Sequence, residues 1–382
     1  MKNIAIFCDG TWQDLTQNVP TNVARLARSV AAQTKATDKT PACEQFVYYD
    51  TGVGVGQGVL DGATKLIGGS IGKGLDDKIL NAYIALCLNF SPCDRIFIFG
   101  FSRGAYTARS LAGLLRRCWI LRREHVGEAD RAMDLYRNST SEAPEVAKFK
   151  EDFCYPADAF IGQRGADPVD TAKQLNAAPA FWGHLQYVGV WDTVGSLGIP
   201  TALPFSSLVD NKYRFHDTTL SRFVLSARHA VSIDERRSTF VPTLWDNIDS
   251  LNINAFAGNL PYEKRPYQQI WFPGRHSGVG GGEDDGGLSI VPMRWIAEGA
   301  AAAGLEFNDD VLDLPPTADC CAPFVAVQRT IGTLVIEAAG EGDRGGPAST
   351  TEISDAARTR WTKLADYRPP PLSKFHDFLD AK

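Results

Sequence analysis

Histidine is scarce in this chain: six occur in 382 residues, at positions 125, 184, 216, 229, 276 and 376. A long apolar run is missing as well, since no segment approaches the roughly 18 uninterrupted residues of a membrane-spanning helix. The chain has no excess of positive charge. Its net charge of -6 offers no footprint for nucleic acid and no polybasic attraction to anionic lipid. Any membrane contact is therefore expected to be apolar, local and peripheral. Eight cysteines are present, but none has Cys-x-x-Cys spacing, which argues against a zinc site. They read as buried reduced thiols, with Cys320-Cys321 a vicinal pair in a loop. The stretch from Met1 to Asp9 is too short before its acid to be a signal peptide, so synthesis in the cytoplasm is expected.

Nucleotide-binding patterns fail at identifiable positions. Gly52-Val53-Gly54-Val55-Gly56-Gln57-Gly58 lacks the Gly-x-Gly-x-x-Gly spacing. Around Gly72-Lys73, Ile67 stands where a phosphate loop needs its first glycine, and Gly74 where it needs Ser or Thr. The stretch from Gly52 to Gly74 therefore reads as a surface loop at the mouth of a site, and no cofactor or metal is expected. The run Glu283-Asp284-Asp285 reads as a solvated loop rather than a cation site.

What is there is a full core and an alternating pattern. Hydrophobic residues make up 44% of the chain, and there are no internal repeats. Strands are predicted at Asn3 to Cys8, Phe46 to Tyr49, Ile96 to Phe99, Leu185 to Trp191 and Gln268 to Phe272. Helices are predicted at Val23 to Ala32, Asp76 to Leu88, Ala105 to Leu115 and Ser221 to Ile233. Such alternation predicts an α/β fold with a mostly parallel, doubly wound sheet covered on both faces. Residues 121–181 are polar and helical, and read as a cap inserted into a core spanning 1–300. Residues 301–382 form an irregular extension packing on that core.

The chemistry begins at Gly100-Phe101-Ser102-Arg103-Gly104. This is Gly-x-Ser-x-Gly directly after an apolar strand and directly before a helical pattern, the setting in which a sharp turn exposes a serine nucleophile. A serine needs a base, and the base needs an acid to hold its tautomer, in the chain order Ser, acid, His. His276 follows a strand and the turn Pro273-Gly274, and leads into a glycine-rich loop. Its rival, His229, reads as the end of a helix and a structural group, and His184 sits at the wrong end of its strand. Asp192 ends the strand Leu185 to Trp191, between Ser102 and His276 in the chain. The oxyanion donors are expected to be the backbone N–H of Arg103 and that of Gly10 or Thr11. Asp9 is expected to order its own turn or to pair with Arg103 or Arg109.

Four segments together are similar to the DUF2235 family of α/β-hydrolases, which includes the first class of lipase and phospholipase effectors of bacterial type VI secretion. They are Phe7 to Trp12, Gly100 to Tyr106, Val190 to Ser196 and Phe272 to Gly282, joined by Arg228 to Glu235. The resemblance implies ester hydrolysis with Ser102, Asp192 and His276 as nucleophile, acid and base. It also implies a lipid or phospholipid ester substrate, export by a signal-independent route, and a secretion-machinery or immunity protein as partner. Gly278 stands where the family usually has aspartate, and the chain lacks the long apolar anchoring region of membrane-attacking members. Three readings follow: a lipase or phospholipase, a soluble carboxylesterase or thioesterase, and a catalytically silent binding module.

Overall fold

The computed structural model describes residues 1–10, 15, 17–36, 41–52, 70–156, 185–195, 219–308, 318–325 and 340–381. Six strands form one sheet: β1 (Asn3–Cys8), β2 (Gln45–Asp50), β3 (Arg95–Phe101), β4 (Leu185–Trp191), β5 (Ser226–Ser232) and β6 (Tyr267–Phe272). Their order is β2-β1-β3-β4-β5-β6, and every neighbouring pair is parallel. The order reverses between β1 and β3. At such a point two crossovers leave in opposite directions and open a crevice at the carboxyl ends of the strands. Ser102 follows β3 at that crevice.

Side chains alternate across the sheet, so one run of apolar residues serves two layers. Ile4, Ile6, Ile96, Ile98, Val188 and Val190 face one core. It is covered by α2 (Ser70–Asn89), α3 (Arg103–Cys118), α4 (Ala129–Asn138) and α5 (Pro144–Phe153). Ala5, Phe7, Phe97, Phe99, Tyr187 and Trp191 face the other, which is covered by α1 (Asn22–Ser29) and α8 (Ile290–Ala302). Phe7 and Phe99 stack across the switch point, with ring centroids 4.6 Å apart. The described part of the inserted helical segment, α4 and α5, thus joins the layer of α2 and α3. Its remainder, 157–184, lies outside the described residues.

Residues 226–232 correct one expectation: they form the interior strand β5, not part of a helix from Ser221 to Ile233. A strand buried on both faces has no polar–apolar alternation to read. Its polar side chains are satisfied by other parts of the chain. The Arg228 guanidinium lies 5.0 Å over Trp295 and donates to its carbonyl. His229 lies between Thr193 and Gln269. The glycine-rich stretch is corrected in part, because α2 already begins at Ser70, whereas 53–69 lie outside the described residues.

The C-terminal segment is more regular than its composition suggests. It carries α9 (Asp355–Lys363) and α10 (His376–Asp380), while α6 (Ile248–Asn254) and α7 (His276–Gly280) flank β6. Ile353, Ala357, Trp361, Tyr367, Leu372 and Leu379 bury themselves against Val231, Ile233 and Trp271 of the β5–β6 edge. Ser354 caps α9 by accepting from Ala357 N at 3.1 Å.

The turn after β3 depends on two glycines for space. A Cβ on Gly104 would lie 2.1 Å from Cys8 O and 2.5 Å from Asp9 O, and one on Gly100 would lie 2.3 Å from Gly104 O. These neighbours are backbone atoms and cannot swing aside. Gly104→Ala is expected to separate the start of α3 from the end of β1, at a cost of about 1–3 kcal/mol. Urea unfolding of the two proteins measures it, and an unchanged midpoint would refute this account of the turn.

Candidate active site

Ser102 is held in an uncommon backbone conformation, φ 57 and ψ -121. A non-glycine residue with positive φ is strained, and the surrounding structure must enforce it. Here the restraints come from β4. Ser102 N donates to Trp191 O at 3.1 Å, and Val194 N donates to Ser102 O at 3.4 Å. Those two bonds bracket Asp192, so the serine turn and the carboxylate turn are tied to each other through the backbone. Asp192 is itself in a positive-φ conformation, at 38°.

Asp192 is fully buried, yet both of its oxygens are filled. Oδ2 accepts from His276 Nδ1 at 2.5 Å and from Arg344 Nη2 at 3.0 Å. Oδ1 accepts from Arg344 Nη1 at 2.6 Å and from Ser232 N at 2.9 Å. Burial pushes this carboxyl's pKa up. The Arg344 charge and the His276 hydrogen bond outweigh that and hold it far below the usual carboxylate range.

His276 opens α7 and is nearly buried. Its ring lies 4.6 Å from that of Phe101, the residue before Ser102, and 4.7 Å from Phe240. Its backbone N donates to Glu235 Oε2 at 3.2 Å. Glu235 in turn accepts two bonds from the Arg237 guanidinium, at 2.8 and 2.7 Å, and a third from Arg237 N at 2.8 Å. Burial lowers the imidazole's pKa below its ordinary 6.5, against the upward pull of Asp192. The ring is therefore neutral at neutral pH. With Nδ1–H directed to Asp192, Nε2 carries the lone pair. Ser102 Oγ makes no hydrogen bond with it here. Such contacts are often loose before substrate binds.

The structure thus brings Asp192 and His276 into direct contact and packs the histidine beside the serine turn. Gly10 is placed differently from its expected use, because its N–H donates to Asp9 Oδ1 at 2.7 Å. Asp9 orders its turn: it also accepts from Thr21 Oγ1 at 2.7 Å and Tyr49 Oη at 2.5 Å. Thr11 lies outside the described residues. The Arg103 amide is at the first turn of α3, where a helix leaves N–H groups without intrahelical partners.

His229, the rival base, is a fully buried structural group. Its Nε2 accepts from Thr193 N at 3.2 Å and its Nδ1 meets Gln269 Oε1 at 3.0 Å. Burial, with help from Arg109, pushes it down to about 3, so it stays neutral and supports the residue after Asp192. Four residues around the site had no role in the sequence reading: Ser232, Asp234, Glu235 and Arg344. The run Asp234-Glu235 directly after β5 was the available signal for two of them. Nothing local marks Arg344. Asp285 corrects the expected solvated loop: it is buried, and accepts from Gly287 N at 3.0 Å and Ser289 N at 2.8 Å. Elsewhere, Asp319, Cys320 and Cys321 place their donor atoms within 4.8 Å of one another.

A parallel doubly wound sheet, with a strained serine elbow at its switch point and a carboxylate–imidazole pair at the ends of β4 and β6, defines an α/β protein of the hydrolase-like class. Within that class, the chain belongs to the type VI secretion family whose model is described as phospholipase effector Tle1-like, catalytic domain, which matches residues 2–299. The uncharacterized protein YEL023C of Saccharomyces cerevisiae is 29% identical over 249 residues, or 63% of this chain and 32% of that protein. A crystal structure of an uncharacterized protein from Pseudomonas aeruginosa aligns at TM-score 0.41 and 16% identity, over 98% of this chain and 52% of the other. The Tle1 effector bound to the VgrG spike of the type 6 secretion system aligns at 0.36 and 16% identity, over 73% and 51%. The chain therefore spans about a third of the yeast protein and about half of each structure.

Asp234 links this site to the C-terminal segment. Its Oδ2 accepts from Gly274 N at 2.7 Å and Tyr367 Oη at 3.0 Å, and burial raises its pKa to about 6. An ordinary aspartate titrates near 3.9, so the folded state holds this proton more tightly than the unfolded state. The resulting stability is complete below about pH 4 and is lost as pH rises through about 6. Asp234→Asn retains an acceptor and removes the charge. It is expected to raise the urea midpoint near pH 7 and to leave it little changed near pH 4. A lower midpoint at neutral pH would contradict this reading.

Proposed function

We propose that this chain is a serine esterase of the lipase or phospholipase type. The observation that carries the proposal is the 2.5 Å bond from His276 Nδ1 to Asp192, made beside a serine in the strained turn of a nucleophile elbow. Membership of the Tle1-like catalytic-domain family supports phospholipid acyl esters as the substrate class. In this reading His276 Nε2 takes the Ser102 hydroxyl proton as Oγ attacks the ester carbonyl. The resulting imidazolium is stabilised by Asp192 and returns the proton to the leaving alcohol. Water, activated by the same ring, then cleaves the acyl-enzyme. The Arg103 amide is proposed as one oxyanion donor and Thr11 as the second, because the Gly10 amide is engaged by Asp9.

Among the described residues no helix is long and apolar enough to cross a membrane. In this reading an ester is attacked at the bilayer surface, with an acyl chain drawn into the crevice. The family's place in type VI secretion supports delivery without a signal peptide and a partner in the secretion machinery.

Phospholipid vesicles and short p-nitrophenyl esters, each with wild type and Ser102→Ala, test the proposal. Wild type is expected to release fatty acid from vesicles and to take a fluorophosphonate label. Ser102→Ala should lose the label and about a thousandfold or more of the rate. Labelling without vesicle hydrolysis would move the substrate to small soluble esters. A folded wild type that neither labels nor hydrolyses would leave only a binding role. Because the base must be neutral and its pKa is lowered, the acid limb of kcat/KM is expected below pH 6.5.

A further inference from the structure

Arg344 reaches the site from the far end of the chain, well past residue 299, where the catalytic-domain match ends. Its delivery is specific. The backbone of 340–342 is laced to 236–238 by Ser238 N to Gly340 O at 3.2 Å and Gly342 N to Arg236 O at 2.7 Å. Arg236 also pairs with Glu341 and Asp343. The buried guanidinium then makes four bonds: two to Asp192, one to Ser232 O at 2.9 Å and one to Phe240 O at 2.6 Å. Phe240 is one of the two phenyl rings packed on His276, with Phe101 the other. One side chain thus fixes both the carboxylate and the aromatic wall that confine the imidazole.

The charges around His276 form a pattern. Asp192 faces it from the end of β4 and Glu235 from the turn after β5, and each carboxylate is held by an arginine fork. Arg344 takes the first and Arg237 the second. Asp234 and Arg275 flank the adjoining turn, where Asp234 binds Gly274 N. A carboxylate without its cation would stabilise the imidazolium and keep the base protonated. With both forks closed, the carboxylate still orients Nδ1–H but its charge is offset.

We propose that Arg344 is a positioning residue of the site: it holds Asp192 in place and offsets its charge, so that His276 remains an unprotonated base. The C-terminal segment would then be part of the catalytic machinery and not a separate appendage. The proposal rests on the reading of Ser102, Asp192 and His276 as a catalytic set.

The test reads His276 directly, without substrate, by NMR titration of its ring in the full-length protein. Wild type is expected to titrate below pH 6.5. Arg344→Gln should raise the midpoint by about one unit or more, because one nearby opposing charge is removed. Arg344→Lys keeps a cation but not the fork, and should fold and titrate close to wild type. In Arg344→Ala, added guanidinium ion should move the midpoint back down. A folded Arg344→Gln that titrates like wild type would overturn the proposal. So would Arg344→Lys titrating well above wild type. Failure to hydrolyse any ester would instead count against the proposed function, and leaves this titration readable.

Discussion

The buried charge of Asp192 is the constraint on which the rest of the site depends. A carboxylate taken out of water is costly unless every lone pair is met and its charge is balanced. Here four donors meet it: His276, Ser232 N and both terminal nitrogens of Arg344. They come from three separate stretches of chain, so satisfying this one group draws together the ends of β4, β5 and β6 and the segment near residue 344. The strain at Ser102 is carried by the same assembly, since its backbone is tied to the residues on either side of Asp192.

Beyond the carboxylate, the supporting residues act on backbone and tautomer. Glu235 holds the His276 amide and Asp234 holds Gly274, so the histidine loop is anchored from the turn after β5 at two points. His229 occupies a strand position where a charged ring would be severely desolvated, and its neutral form supplies an acceptor for Thr193 N. The two histidines differ in what they face. His229 meets a neutral amide and its ring is enclosed, whereas His276 meets a carboxylate and lies beside the serine turn.

Burial on both faces erases the periodicity that marks a strand in the sequence. β1 and β3 carry continuous apolar runs, and β4 and β6 run from their glutamines into apolar and aromatic residues that end at a turn, so these strands are legible. β5 contains Ser226, Arg228, His229 and Ser232, whose polar groups are satisfied by distant partners, so its strand character was hidden. The C-terminal helices were missed for a related reason. Their apolar faces are short, and their order depends on packing against Val231, Ile233 and Trp271.

The amino-acid order by itself determined the parallel α/β layering, the serine turn with its two obligatory glycines, and a small set of strand-end side chains. These are local properties: apolar runs select strands, helical spacing selects covering layers, and a missing Cβ permits a tight turn. The tertiary structure alone decided that the Gly10 amide is taken by Asp9, that His229 is enclosed, and that an arginine 152 positions beyond Asp192 closes the site. Those outcomes depend on which groups meet after the sheet is built. The cost of leaving a buried polar atom unmet is a property of that shared environment and of no single stretch of chain.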